Sequence, residues 1–151
     1  MPKVLYMGNI ITPEGLTPDK SKIRAIADMP TPENKPALKH LLGMGKYLAQ
    51  YIPNESETTA PLRALLKKDA AWSWEAEHTQ RLNKVKAALA TEPVLRYQDV
   101  SKPVTIQADA SQSGLGCCLL SEGWPVHYAS RSMTDNEKNY AQIEKELLAI
   151  C

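Results

Sequence analysis

Phenylalanine is absent from this 151-residue chain. Cysteine is scarce: Cys117, Cys118 and Cys151 stand with no Cys-x-x-Cys pair and no Cys/His cluster, which gives no zinc-type ligand set. Vicinal Cys117 and Cys118 sit in an apolar run and read as core residues of a reduced, intracellular protein. No charged-then-apolar leader opens the chain, and no apolar run approaches the ~20 residues of a membrane span. The expectation is a soluble, intracellular protein, cytoplasmic or nuclear, with no membrane partner. Net charge is only +1, so the total argues for no partner.

The distribution of charge says more. Residues 1–53 carry seven Lys/Arg against four Asp/Glu, residues 54–103 eight against seven, and residues 104–151 three against six. A basic N-terminal part and an acidic C-terminal part fit a phosphate-gripping piece beside a cation-binding piece, and equally fit solvated surface charge.

Short strand-like runs at Val4–Met7 and Ile10–Thr12 precede a Pro-Glu-Gly turn. Thr17-Pro18-Asp19 offers an N-cap, a first-turn proline and a first-turn acid. The helix it starts is stopped by Met29-Pro30. Leu38, Leu41, Leu42, Gly45 and Leu48 predict a second helix from Asn34 or Lys35 to about Tyr51, and Leu62, Leu65 and Leu66 a third over about Thr58–Lys68. Leu82, Val85 and Leu89 give a fourth. Strands follow at Val104–Ile106, Leu115–Ser121 and Val126–Ser130. Thr134 and Glu137 form a capping box before a last helix with Tyr140, Ile143, Leu147 and Ile150 on one face. His127 reads as a half-buried structural histidine.

Asp109 ends the first of these three strands, and the last helix offers Glu144 and Glu146. A helix packed on a sheet can bring its carboxylate beside one from a strand, and a divalent cation relieves their repulsion. Periodicity does not choose between the two glutamates, which flank the apolar stripe on opposite sides. The plain alternative makes Asp109 a turn former and both glutamates surface acids.

The motifs YMGNIITPEG, LKHLLGMGKYLAQYIPN, APLRALLKKD, WSWEAEHTQRLNKVKAAL, DASQSGLGCCLL and PVHYASRSMTDNEKNYAQIEKELLAI occur in an order that resembles the reverse transcriptase of long-terminal-repeat retrotransposons of the Ty3/gypsy class. The resemblance covers nearly the whole chain. It implies an α+β fold: a hairpin from the end of the polymerase palm over residues 1–16, a small helical thumb bundle over 17–70, and a connecting helix with a partial ribonuclease H-like fold of three antiparallel strands plus a helix over 71–151. It places the first ribonuclease H aspartate on Asp109 and the catalytic glutamate on Glu146, both as magnesium ligands. The partners it implies are an RNA–DNA hybrid or template–primer duplex and the remainder of the polymerase and ribonuclease H domains.

Ser111 and Gln112 could then approach the hybrid backbone or merely shape the turn. Arg131 could meet substrate or pair with a nearby acid. Lys35, Lys39 and Lys46 are candidate phosphate contacts on the thumb, or ordinary charges of a bundle helix. Tyr47 and Tyr51 read as core or half-buried residues. No Tyr-x-Asp-Asp occurs, so the resemblance puts the polymerase aspartates upstream and the remaining ribonuclease H acids downstream, and the chain alone is expected to catalyse neither reaction. Leu41, Tyr51 and Leu82 stand where the family usually has Phe, Glu55 and Thr58 where Phe and Ile are expected, and Ala49-Gln50 where a basic pair is common. These departures leave open a non-catalytic module of a host protein derived from a retrotransposon.

Overall fold

The computed structural model describes residues 2–151. The chain opens with β1 (Val4–Tyr6), β2 (Asn9–Thr12) and β3 (Gly15–Pro18), an antiparallel meander. Met7 and Gly8, both at positive φ, make the two-residue turn of the first hairpin, whose backbone twist matches that of the flanking strands. The third strand is a departure from the sequence reading. Thr17 and Pro18 do not start a helix but pair with Ile10 and Asn9. Capping passes to Asp19, which accepts from the Ser21 N–H at 3.0 Å. Helix α1 (Lys20–Ala27) follows.

Helix α2 (Lys35–Leu48) starts on Asn34, whose side chain accepts from the Ala37 N–H at 2.9 Å, and runs into a 3-10 turn at Ala49–Tyr51. Helix α3 (Glu55–Ala64) begins three residues before its expected start and ends four before its expected end. The reason is tertiary. The Ser56 N–H, an orphan donor of the first turn, is satisfied by Ser130 Oγ at 2.9 Å, a partner 74 residues away. Glu55 and Glu57 add charge favourable to that helix end. Helix α4 (Ala76–Ala90) buries Leu82, Val85 and Leu89 as its periodicity predicts.

Ile26, Leu48, Tyr51, Ile52, Val85, Leu89 and Leu95 form the main core. Tyr51 is fully buried, its hydroxyl donating to Asn9 Oδ1 at 2.7 Å, and Tyr47 is half-buried. A second cluster gathers Leu38, Leu62 and Leu65 with Trp72 and Trp74 packed against it. After α4 the chain bridges to β3 through Leu95 and Leu16, with N–H to carbonyl bonds of 2.7 and 2.9 Å. Gly15, at φ +153°, allows that approach, since a Cβ there would strike the Leu95 carbonyl.

A second meander, β4 (Val104–Ala110), β5 (Gly114–Ser121) and β6 (Trp124–Ser132), carries α3 against β5 and β6 and helix α5 (Gln142–Ile150) against β4 and β5. Ala110, Leu115 and Met133 pack with Leu148 and Ala149 of α5. Cys117 and Cys118 are half-buried, and burial pushes the Cys118 thiol up. His127 is exposed rather than half-buried, because it falls on the outward pleat of β6, alternating with half-buried Val126 and Tyr128.

Helix α5 corrects the sequence reading twice. The Thr134–Glu137 box forms, with Thr134 N–H to Glu137 Oε2 at 2.8 Å, but it caps only a 3-10 turn at Glu137–Asn139. Tyr140 is extended, so the helix starts at Gln142 and Tyr140 lies outside it. The apolar stripe also faces away from the sheet. Ile143, Leu147 and Ile150 are 69%, 60% and 63% exposed, while Lys145 is buried. Leu148 and Ala149, on the other side of the helix, meet Ala110, Leu115 and Met133 instead. No helix among the described residues is long and apolar enough to cross a membrane.

Candidate carboxylate site and nucleic-acid interface

Asp109 is the penultimate residue of β4, an edge strand, paired in register with Gly116. Side chains alternate along a strand. Ala110 packs toward α5, so Asp109 stands on the opposite pleat at the strand's exposed end. Its Oδ1 accepts from the Ala110 N–H at 2.9 Å. The carbonyl of the same Ala110 accepts from Gln142 Nε2 at 3.1 Å, and that nitrogen also donates to Glu146 Oε1 at 3.3 Å. One residue of β4 therefore stands between the two acids, touching one directly and the other through Gln142.

Glu144 is occupied elsewhere. Its Oε2 accepts from the Ala141 N–H at 2.8 Å, closing the first turn of its own helix. Of the two glutamates that periodicity left undecided, Glu146 is the one tied to the end of β4. Sequence reasoning missed Gln142. The signal was present in its spacing, since Gln142 and Glu146 are four apart and face each other once a helix forms.

The turn after Asp109 is built by Ser111. Its Oγ donates to the Gly114 carbonyl at 3.1 Å and accepts from the Gly114 N–H at 3.0 Å. Gln112 is exposed at the tip. Arg131 forms a two-pronged pair with Glu137, at 2.9 and 3.0 Å. That fork holds the Glu137 carboxyl down at about 2, with the Thr134 N–H adding to the effect, and pushes the Arg131 guanidinium up.

Lys35, Lys39 and Lys46 fall on one side of α2, at spacings of four and seven. Lys39 and Lys46 are exposed. Lys35 is half-buried and its ammonium donates to the carbonyls of Lys67 and Ala70. Gly43, between them on the exposed side, has open space where a Cβ would stand. At Ala49-Gln50, the Gln50 amide donates to Asn9 Oδ1 at 3.1 Å, fastening the 3-10 turn after α2 to β2.

Residues 74–151 match the RNase H-like domain found in reverse transcriptase. The chain belongs to that family. Among relatives of this reverse transcriptase RNase H-like family, it is 35% identical over 96% of its length to the retrovirus-related Pol polyprotein from transposon 297 of Drosophila melanogaster, and 36% identical over 98% to the transposon Tf2-3 polyprotein of Schizosaccharomyces pombe. It spans 14% and 12% of their respective lengths. In fold it is similar to the foamy viral protease-reverse transcriptase in complex with RNA/DNA hybrid, with a TM-score of 0.84 and 26% identity over 98% of this chain and 21% of that one. The foamy viral enzyme in complex with dsDNA gives 0.83 and 25% over 99% of this chain and 32% of that one. The Ty3/gypsy-type resemblance and the α+β architecture of helices and antiparallel strands both hold.

Proposed function

We propose that the chain grips a template–primer duplex or RNA–DNA hybrid along α2 and contributes Asp109 and Glu146 to a two-metal RNA-cleaving site of a retroelement polymerase. The observation that supports this reading is the Gln142 bridge, which fastens Glu146 to the end of the strand bearing Asp109, although Asp109 itself stands on the opposite pleat and makes no direct contact with Glu146. The foamy viral enzyme of similar fold is described with an RNA/DNA hybrid, which supports the substrate class. The relatives are transposon polyproteins, and no observation favours the host-protein module. In this reading residues 1–16 are the palm hairpin, 17–70 the thumb, and 71–151 the connecting helix and ribonuclease H part.

Two exposed carboxylates are hard oxygen donors of the kind magnesium accepts while keeping several waters. Asp109 and Glu146 would hold the ion. When bound it would supply an activated water and stabilise charge on the attacked phosphodiester. Among the described residues no group of three or more Asp, Glu, His or Cys is placed to hold a metal ion, and two carboxylates leave most of a magnesium ion's coordination to water, so affinity is expected to be weak.

The chain's own residues divide the remaining work. Gln142 orients the Glu146 carboxylate. Ser111 fixes the turn that holds Gln112 out toward the backbone of a bound strand. Lys39 and Lys46 meet phosphates directly. Lys35 anchors the N-terminal end of the basic row through its two carbonyl partners. Arg131, already neutralised by Glu137, shapes the loop more than it attracts phosphate.

The test is a manganese titration followed by paramagnetic broadening of backbone amides, with hybrid binding by fluorescence anisotropy. Broadening is expected around Ala110 and Glu146 and is lost in Asp109→Asn/Glu146→Gln. Lys39→Ala/Lys46→Ala should lower the salt slope of hybrid binding by about 0.9 per lost contact. Unchanged broadening in the first variant and an unchanged slope in the second would sink the reading.

A further inference from the structure

Between α3 and the loop that follows β6 lies an open cavity of about 430 Å³. Its wall carries three basic side chains. Arg63 and Lys67 enter from the helix side and Lys138 from the loop, with the hydroxyls of Ser132 and Thr134 between them. Asp135 is the one acid of the lining. Its side chain is 90% exposed, and its carboxylate rests on Lys138 at 2.9 Å. Lys138, and then the more distant charge of Lys67, hold the Asp135 carboxyl below its usual range. Both lysines therefore direct their charge to the same small volume. An exposed ion pair of that kind contributes little, so a more highly charged anion can displace Asp135 from Lys138.

The other side of the cavity is fixed in place. The Arg63 guanidinium donates to Thr59 Oγ1 from Nε at 2.9 Å, to the Ser56 carbonyl at 3.3 Å, and to Ser132 Oγ at 3.2 Å. Glu55 approaches it at 3.4 Å and offsets part of its charge. Arg63 is thus a fixed positive charge whose position is set before any ligand arrives, with most of its donors already engaged by the protein. Thr134 Oγ1 accepts from the Glu137 N–H at 3.3 Å, which leaves its own O–H to donate. Ser113, in the turn that Ser111 builds after Asp109, completes the lining.

We propose that this cavity is a phosphate site, taking one phosphodiester of a bound nucleic-acid strand or, in its absence, free phosphate. The anion lies against Lys67 and Lys138, with Arg63 behind it and the Thr134 hydroxyl donating. The site continues the basic row of α2, because the Lys35 ammonium at one end of that row bonds the Lys67 carbonyl. The assignment of the phosphate to a duplex rests on the function proposed above, whereas the site itself does not.

The test uses Lys67→Gln/Lys138→Gln, two exposed side chains, with the melting temperature of the variant measured alongside to check that it folds. Inorganic phosphate is titrated into both proteins and the backbone amides of Ser113 and Thr134 are followed. Saturable shifts are expected in the parent and not in the variant. Binding of a short RNA–DNA hybrid is then measured from 50 to 200 mM salt. The variant is expected to lose about 1.8 from the salt slope, so that its affinity falls roughly tenfold less than the parent's over that range. A variant that loses the phosphate shifts but keeps its hybrid slope assigns the site to free phosphate. Phosphate shifts confined to the parent, with no hybrid binding by either protein, keep the site and remove the duplex reading. If Lys39→Ala/Lys46→Ala weakens hybrid binding while Lys67→Gln/Lys138→Gln changes neither readout, the duplex reading stands and the phosphate site falls.

Discussion

Gln142 donates its side-chain amide to the backbone carbonyl of Ala110, joining the first turn of α5 to the last residue of β4 at 3.1 Å. The bond fixes where the helix sits along the strand. The second contact of the amide reaches Glu146 Oε1 at 3.3 Å. Residues that orient a metal-binding carboxylate in this way typically carry a factor of about 10–100 in metal affinity. Gln142→Leu is expected to weaken manganese binding at Asp109 and Glu146 by that factor. Glu144→Gln, which touches only the Ala141 N–H, should leave manganese affinity within about twofold, well short of that factor. Equal losses in the two variants would show that Gln142 does not position the site.

The Arg131–Glu137 fork predicts a pH dependence. Glu137 is held at about 2 instead of its ordinary 4.5 by the Arg131 hydrogen bonds, with the Thr134 N–H next. A carboxyl lowered by folding contributes stability that is complete above its unfolded value and is lost as pH falls through its folded value. The melting-temperature difference between the parent and Arg131→Ala should be constant above about pH 5 and shrink between 4.5 and about 2. A carbon-detected titration of Glu137 gives the direct check. An ordinary midpoint in the parent would refute the pairing.

Ser130 caps a helix from across the molecule. Ser130→Ala removes the acceptor of the Ser56 N–H at a position where Ser56 is 1% exposed. A buried donor left without a partner costs about 1–3 kcal/mol. Urea unfolding should show that loss. Ser101→Ala, which removes only an exposed hydroxyl bound to Asp99, should stay within about 0.5 kcal/mol.

The outward stripe of α5 separates two kinds of apolar residue. Ile143→Ser and Leu147→Ser are each expected to change stability by no more than about 0.5 kcal/mol, because both side chains are already in water. Leu38→Ala, fully buried, should cost about 2–5 kcal/mol. Thermal or chemical denaturation distinguishes the cases, and a cost above 2 kcal/mol for either serine variant would contradict the helix orientation.

Gly15 tests the joint between the N-terminal meander and the connection to the second sheet. Its φ of +153° and the nearness of the Leu95 carbonyl leave no room for a Cβ. Gly15→Ala is expected to cost at least the ~1–3 kcal/mol of a strained backbone position. Gly43→Ala, with open space around it on α2, should be neutral or stabilising by up to ~1 kcal/mol. A chemical-denaturation comparison ordering the two the other way would reject the packing of Leu95 on β3.

Most of the architecture was legible in the sequence, because it rests on local pattern. The leucine spacing of α2 and α4, the three successive strand runs and the stop at Met29-Pro30 depend on neighbours close along the chain. So did the choice of Asp109 and Glu146, which came from motif resemblance. What local pattern did not contain was any contact made across the chain. Thr17-Pro18 has the chemistry of a helix start, yet pairing with β2 placed it in a strand. The Thr134–Glu137 box is sound as a cap, yet Tyr140 turned the chain before a helix could grow from it. The start of α3 was set by a serine 74 residues away. The stripe of α5 told which residues lie together but not which side meets the sheet, and Ala110, Leu115 and Met133 took Leu148 and Ala149. Sequence by itself determined the elements, their order and the acids worth watching. Only the tertiary structure decided which carboxylate is tied to the strand and which basic side chains converge on one cavity, since both depend on side chains far apart along the chain being brought together by packing.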